Sequence, residues 1–444
     1  MPVKAPPGHW LWGNGPEIIE DPLVALPRLA SLGEVVELRF SWIRAALVSA
    51  PELIQQIFQD HRTFNKQTLT YDRLHVLVGD GLVRSDGEFW LRQRRIAQPA
   101  FHRQRIAGFA NVMVEAALEL VGRLAAFAQS GEPLDMAQEM TQLTLAVVCE
   151  TLLGGDVGAA RLKVSEAFSA LNHLSIRRAQ ARVVLPLWWP TADNRLFRTH
   201  LKALDDTVYE IITRRRGTEG EGGDLLSMLL NARDPETGEG MSDVQLRDEI
   251  ATMLLAGHET TAVTLSWALY LLSQHPEVEA RLREELRTVL KDRPPTYEDL
   301  ERLEYPRMVV DETLRLYPPV WGLNRHVAED TELGGYHLPR GLIVLVSPWV
   351  THRSPAIWEE PEAFRPERFA PGRKEALPRY AYFPFIGGAR QCIGNHFALM
   401  EAQLVLAALY QRYHFTLWPG HPVEPEPVLT LRPKHGMKMR IELA

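Results

Sequence analysis

From Ser242 to Pro276 the chain carries one uninterrupted helical pattern, and a helix of that length dictates the scale of any fold that holds it. Ser242 followed three residues later by Gln245 predicts a capping box at its start, and His275-Pro276 predicts its end. The span from Asp243 to Gln274 comes to roughly 48 Å at ~1.5 Å per residue. Ile250, Met253, Leu254, Leu255, Leu265 and Leu269 make it apolar enough to cross a core. A chain of 444 residues with 45% hydrophobic content can supply that core. Helical patterning dominates residues 88–290. Runs at 34–39 and 45–48 read as strands, with a helix from Pro51, whose proline suits a first helical turn. Later strands at 326–333 and 342–347 are expected to join the same small sheet near the N-terminus, and the alternating tail 428–443 suggests a hairpin. The fold class is therefore mainly α with minor β. With no long linker, residues 1–444 read as a single domain, and 217–223 and 233–240 as surface loops.

Inside the long helix lies a cluster with polar side chains, Ala256-Gly257-His258-Glu259-Thr260-Thr261. Gly257 costs a helix about 1 kcal/mol relative to alanine, and is expected to thin it for the approach of a flat ligand. Thr260 either bonds back to the preceding turn or turns its hydroxyl toward a bound ligand. Glu259 either faces solvent or relays protons. A zinc-binding H-E-x-x-H is excluded because position 262 is alanine. Near the C-terminus, Phe385-Ile386-Gly387-Gly388-Ala389-Arg390-Gln391-Cys392-Ile393-Gly394 places one cysteine in a glycine-punctuated loop before a helical run. The glycines permit close approach of a bulky planar group, and Arg390 can meet a carboxylate on its rim. A helix starting near Cys392 would favour its thiolate. Haem iron on a lone thiolate fits this set. Cys149, in the apolar run 143–153, reads as core. Two cysteines cannot form a four-cysteine zinc or iron–sulfur site, and C-x-x-C-H is absent, so any haem is held non-covalently.

The pattern F-x-x-G-x-R-x-C-x-G is met at Phe385, Gly388, Arg390, Cys392 and Gly394, and resembles the haem-binding signature of the cytochrome P450 superfamily. Residues 256–261 resemble the family's A/G-G-x-D/E-T-T/S motif. Glu312 and Arg315, followed by Phe364-Arg365-Pro366-Glu367-Arg368-Phe369, resemble its E-x-x-R and P-E-R-F pair. The resemblance spans most of the chain. It implies the cytochrome P450 fold, with the long helix over heme b (iron protoporphyrin IX) and Cys392 as axial thiolate and metal ligand. Trp90, Arg94, Ala256, Arg325, Phe385, Arg390 and Gly394 are implied as haem contacts, with Arg94, Arg325 and Arg390 on the propionates. Glu312, Arg315 and Arg368 are implied as a buried scaffold network, and Glu259 and Thr260 as the proton-handling pair. The implied activity is that of a soluble, bacterial-type haem-thiolate monooxygenase, inserting one atom of dioxygen into a lipophilic substrate. A peroxide-driven peroxygenase and a non-catalytic haem sensor are the alternatives.

A formal charge of −7 argues against a nucleic-acid partner. The N-terminus shows neither a secretory pattern nor an anchor-length apolar run, so a cytoplasmic protein without a transmembrane anchor is expected. With no fused flavin or iron–sulfur module, electrons are expected from a ferredoxin or flavodoxin with its reductase. Arg92, Arg95, Arg103 and Arg105 form a basic segment on which such an acidic donor is expected to dock. By resemblance the pocket is walled by the 74–82 loop, residues 168–174, Ala256, Thr260, Val320, Trp321, Leu323 and Leu429, which favours a lipophilic substrate. Residues 183–189, beside Arg177, Arg178 and Arg182, read either as an entry lip touching lipid or as a packed loop. The turns at 317–321 and 345–351 are similar to those of bacterial carotenoid-hydroxylating members, with fatty acids, terpenes and steroids also open.

Overall fold

The computed structural model describes residues 5–154, 158–180, 185–216 and 223–444. Asp243–Gln274 is one helix, capped as predicted: the Ser242 hydroxyl accepts from Gln245 N at 3.2 Å, and Gln245 Oε1 accepts from Ser242 N at 2.8 Å. It packs along the helix Met136–Leu153. A Cβ on Gly257 would lie 2.9 Å from Val148 Cγ2 of that neighbour. The glycine thus lets two helices approach, which corrects the expectation that it makes room for a flat ligand.

The strands in chain order are β1 (Val35–Phe40), β2 (Ile43–Val48), β3 (Phe64–Asn65), β4 (Leu134–Asp135), β5 (Leu323–Val327), β6 (Thr331–Leu333), β7 (Tyr336–Leu338), β8 (Ile343–Val346), β9 (Tyr413–Leu417), β10 (Pro425–Pro427), β11 (Leu431–Pro433) and β12 (Lys438–Leu443). Two compact units organise the described residues. The first takes the chain up to residue 73 together with 307–395 and 430–432. Its sheet has the order β1-β2-β8-β5-β3, so β5 and β8 do join the N-terminal strands, whereas β6 pairs with β7 in a separate two-stranded sheet. β2 runs parallel to β8 with Ala45 opposite Ile343 and Val48 opposite Val346. The helix Pro51–Gln59 begins on its proline and lays Leu53, Ile54, Ile57 and Phe58 into the core formed with Val35, Val48 and Val344. The predicted strand 326–333 is broken into β5 and β6, because the chain turns at Ala328 to Asp330, whose carboxylate accepts from Arg340 N at 2.7 Å.

The second unit comprises residues 74–306, 396–429 and 433–444. It is mostly helical and carries the sheet β4-β12-β9. The expected tail hairpin does not form. β12 pairs instead with β9, Ile441 facing Phe415, and with β4, Met439 facing Leu134. Met439 and Ile441 are buried on the face shared with Phe415. The preceding strand β11 ends in Pro433, which has no N–H to donate to a ladder. Among the described residues no helix is long and apolar enough to cross a membrane.

Candidate active site

The cysteine loop lies in the first unit and is shaped by its backbone. Cys392 N donates to Phe385 O at 2.9 Å, closing the loop, and Gln391 N donates to Gly388 O at 3.1 Å. Gly388 has φ +64, and a Cβ there would stand 2.0 Å from Phe58 O, so only glycine lets this turn rest on the end of the Pro51–Gln59 helix. Cys392 is exposed, whereas Cys149 is buried. Around Gly394 nothing stands within 4 Å of an added Cβ, leaving open space beside the thiol-bearing turn. The helix Asn395–Tyr410 begins three residues past Cys392. A cavity of about 420 Å³ opens against the same loop, lined by Gln59, Arg379, Tyr380, Gly387 and Gln391 among others.

Arg325, on β5, is buried. Its Nη1 donates to Tyr71 Oη at 2.9 Å and to Asn324 O at 2.8 Å, while Nη2 is buried with no hydrogen-bond partner among the described residues. A buried guanidinium nitrogen without an acceptor costs on the order of 1–3 kcal/mol or more, and a carboxylate-bearing ligand relieves that cost. Arg390 is buried on the cysteine loop itself. An exposed thiol, open space at Gly394 and a buried guanidinium aimed at a missing acceptor fit a flat, anionic, iron-centred macrocycle held by a thiolate.

Glu312, Arg315 and Arg368 are brought together. Arg315 forks onto Glu312 with Nε at 2.7 Å and Nη2 at 2.8 Å. Arg368 Nε reaches Glu312 Oε1 at 3.3 Å, and Arg365 N donates to the same oxygen at 2.9 Å. The remaining Arg315 donors hold the carbonyls of His352 at 2.8 Å, Pro361 at 2.7 Å and Ala363 at 3.0 Å. Both members of the central pair are fully buried. Of the expected pocket residues in this unit, Leu323 and Val320 pack on the sheet core, while Trp321 packs between the cores that contain Leu29 and Trp349. The turn 317–321 is thus largely occupied by its own unit.

In the second unit, Trp90 is buried and Arg94 half-buried, one turn apart on the helix Gly87–Ala97, whose first N–H is accepted by Asp86. On the long helix every residue from Leu246 to Leu269 is buried or half-buried except Ala256, which is exposed, with Gly257 and Thr260 half-buried beside it. A window of exposure in the middle of a buried helix marks the face on which a ligand can lie. Thr260 Oγ1 donates back to Ala256 O at 2.8 Å. Glu259 is buried. His258 is structural: Nδ1 meets Leu254 O at 2.7 Å, its ring stands edge-on to Phe168 at 5.4 Å, and burial holds its pKa below the ordinary histidine value. Leu429 is half-buried.

Sequence patterns do not announce two further features of this unit. Glu401, nine residues after Cys392, is fully buried on the helix Asn395–Tyr410; burial drives its carboxyl well above the usual range, with the Thr261 hydroxyl working in the opposite direction. Asp248 and Glu249 hold the 79–82 loop through their carboxylates, accepting Asp80 N at 2.9 Å and Leu82 N at 3.2 Å. Burial pushes Glu249 up to about 8. The only available signal was two adjacent acids early in an apolar helix. The basic docking segment also needs correction. Arg95 is forked onto Asp234 at 3.1 and 3.2 Å, and Arg92 bonds Glu239 at 3.2 Å, so these charges are already matched; Arg103 and Arg105 stay exposed. In the 183–189 segment, Val183 and Val184 lie outside the described residues, as does Arg182; Trp188 and Trp189 are exposed on a turn held by Asn194 Nδ2, which donates to Pro186 O and Trp189 O at 2.9 Å.

The family profile described as Cytochrome P450 matches residues 3–439. The chain is 38% identical over 429 residues to cyclooctatin synthase of Streptomyces melanosporofaciens, covering 96% of this chain and 93% of the relative. It is 34% identical to pentalenene oxygenase of Streptomyces avermitilis, over 97% of this chain and 94% of the relative. It is also 34% identical to the Arabidopsis thaliana protein LUTEIN DEFICIENT 5, chloroplastic, over 92% of this chain and 72% of the relative. Its fold superposes on the heme domain of cytochrome P450DA with a TM-score of 0.90 at 29% identity, covering 100% of this chain and 97% of that one. A profile that spans nearly the whole sequence and a matching fold lead to one conclusion: the chain belongs to the cytochrome P450 family, as a haem-thiolate monooxygenase whose cofactor is heme b with an axial cysteine thiolate.

Proposed function

We propose that this enzyme hydroxylates a cyclic terpenoid, that Cys392 supplies the axial thiolate, and that a separate ferredoxin or flavodoxin with its reductase delivers the electrons. The observation that carries the substrate reading is the near full-length match to bacterial oxygenases named for cyclooctatin and pentalenene. The exposed window at Ala256 supports it, since a small side chain there leaves room for a bulky, rigid ring system. Carotenoids are the second reading, favoured by the plant relative named for lutein. A panel of cyclic terpenes, carotenoids and long fatty acids added to the ferric enzyme tests the choice. Cyclic terpenes are expected to give the low- to high-spin shift; a shift with carotenoids or fatty acids alone removes the proposal.

When bound, haem supplies the reductive activation of dioxygen and the insertion of one oxygen atom into the substrate. The chain supplies position and protons. Arg325 Nη2 and Arg390 offer fixed, planar donors for the propionates. Thr260 has one hydroxyl proton, and in this structure it is committed to Ala256 O, so the oxygen can accept a hydrogen bond as it stands and can donate only after swinging off the backbone. That swing makes Thr260 a gate for proton delivery, with buried Glu259 next to it as the relay. Thr260→Ala, assayed with a ferredoxin or flavodoxin system, is expected to keep consuming electrons while product falls roughly hundred-fold, the lower end of the range for one lost general-acid contact. Unchanged coupling of electrons to product would sink the gate. Product from peroxide alone, and none with any donor system, would overturn the partner reading.

A further inference from the structure

Three consecutive residues of the long helix hold one turn of the chain in the same unit. Arg247 Nη1 donates to Leu77 O at 3.0 Å, Asp248 Oδ2 accepts from Asp80 N at 2.9 Å, and Glu249 Oε2 accepts from Leu82 N at 3.2 Å. All three side chains are buried. Arg247 also bonds Asp248 at 3.1 Å and, through Nε, Asp205 of the helix Ala192–Arg216 at 2.7 Å, so the aspartates are matched by its charge. Burial keeps Glu249 largely neutral at neutral pH, and it accepts from Leu82 N without adding a second negative charge beside Asp248. The turn also fits by shape. A Cβ on Gly81 would lie 2.0 Å from Thr252 Oγ1, and one on Gly79, where φ is +53, would lie 2.1 Å from Asp248 Oδ1. Glycine at both places lets the backbone rest directly on the helix.

Placement ties this contact to ligand binding. Glu249, Thr252, Ala256 and Thr260 follow one another at helical spacing and so share one face of the long helix. Gly81 sits on Thr252, and the exposed window at Ala256 begins about 6 Å further along the axis. The 79–82 turn is therefore the rim of that window nearest the start of the helix. It also leads into the helix Gly87–Ala97, since Gly81 O accepts from Arg84 N and Ser85 N at 2.9 Å. We propose that Asp248 and Glu249 are positioning residues: by pinning the 79–82 turn to the long helix they fix one wall of the ligand window and set how bulky a molecule it admits. With both pins in place the rim cannot retreat, and a ligand must fit the space over Ala256. Without them the turn can move off the helix, and larger ligands gain. This role needs the window at Ala256 to face the bound ligand, and it is independent of which lipophilic substrate the enzyme takes.

Two readouts on the ferric holoenzyme test the pins. Amide hydrogen exchange follows the turn itself: in the double variant Asp248→Ala, Glu249→Ala the segment 77–82 is expected to exchange roughly tenfold faster, with the helix Met136–Leu153 unchanged. Titration with imidazole and with the much larger triphenylmethylimidazole follows the wall, each read as the red shift of haem absorption when its nitrogen meets iron. In the same variant the ratio of the two affinities is expected to move about fivefold toward the larger ligand. Glu249→Gln keeps a neutral side chain with an acceptor oxygen, and should hold both readouts at their wild-type values, whereas Glu249→Ala should not. Gly81→Ala leaves both acids in place but drives a Cβ into Thr252, and it should shift the ratio in the same direction. Should the double variant fail to fold, Glu249→Ala and Gly81→Ala carry the test. Unchanged exchange over 77–82 overturns the pinning. Faster exchange with an unmoved ratio, both ligands gaining or losing alike, overturns the role in selection. Neither probe is a terpenoid, so the outcome is read separately from the substrate proposal.

Discussion

Cys392→Ala is expected to abolish the red-shifted absorption of the reduced, carbon-monoxide-treated protein and to lower turnover by at least about a thousandfold, on the order of 4 kcal/mol of barrier. The only other cysteine, Cys149, is buried on the Met136–Leu153 helix and cannot take its place. The turn itself depends on Gly388 and on the bond from Cys392 N to Phe385 O, a backbone contact that alanine retains. The variant should therefore fold, and should still retain some haem through contacts that involve no sulfur. Absorption spectra of wild type and variant at matched haem content check this. A variant that keeps the displaced band would place the thiolate elsewhere and remove the assignment of Cys392.

Arg315→Ala should be the most destabilising single change in the first unit, lowering unfolding free energy by about 3–5 kcal/mol. Arg315 satisfies both oxygens of fully buried Glu312 and three backbone carbonyls from His352, Pro361 and Ala363. Truncation leaves a buried carboxylate with only Arg365 N and Arg368 Nε among the described residues, and the carbonyls lose a donor. That is a large share of the roughly 5–15 kcal/mol that holds a typical domain together. Arg315→Lys keeps the charge but not the planar fork, so it should fall between wild type and alanine. Urea unfolding of the holoenzyme reads the effect as a lower midpoint at unchanged slope. An unmoved midpoint for Arg315→Ala would show that the network contributes nothing to the fold.

The elements that were legible in the sequence are those whose causes lie within a few residues. Ser242 and Gln245 cap the long helix and His275-Pro276 ends it, so its limits Asp243 and Gln274 could be read directly. Pro51 opens its helix for an equally local reason. The tail was misread because alternation in β12 shows that a strand forms, and its partner is chosen by Phe415 and Leu134, far away along the chain. Gly257 was misread likewise: its close neighbour is Val148, on another helix.

Electrostatics follows the same division. Arg92 and Arg95 look like open positive charge in sequence, yet Asp234 and Glu239, some 140 residues later, match them. Glu249 gives no hint of a pKa near 8 until burial removes its water. Residue types and short spacings were enough to find the arginine–glutamate scaffold, since Glu312 and Arg315 share one helix turn; the thiolate proposed at Cys392 and the proton-handling pair proposed at Glu259 and Thr260 rest on equally local motifs. Which charges are already matched, which hydroxyl is parked on the backbone and which indoles stay in water depend on contacts between distant segments, and those exist only once the chain has folded.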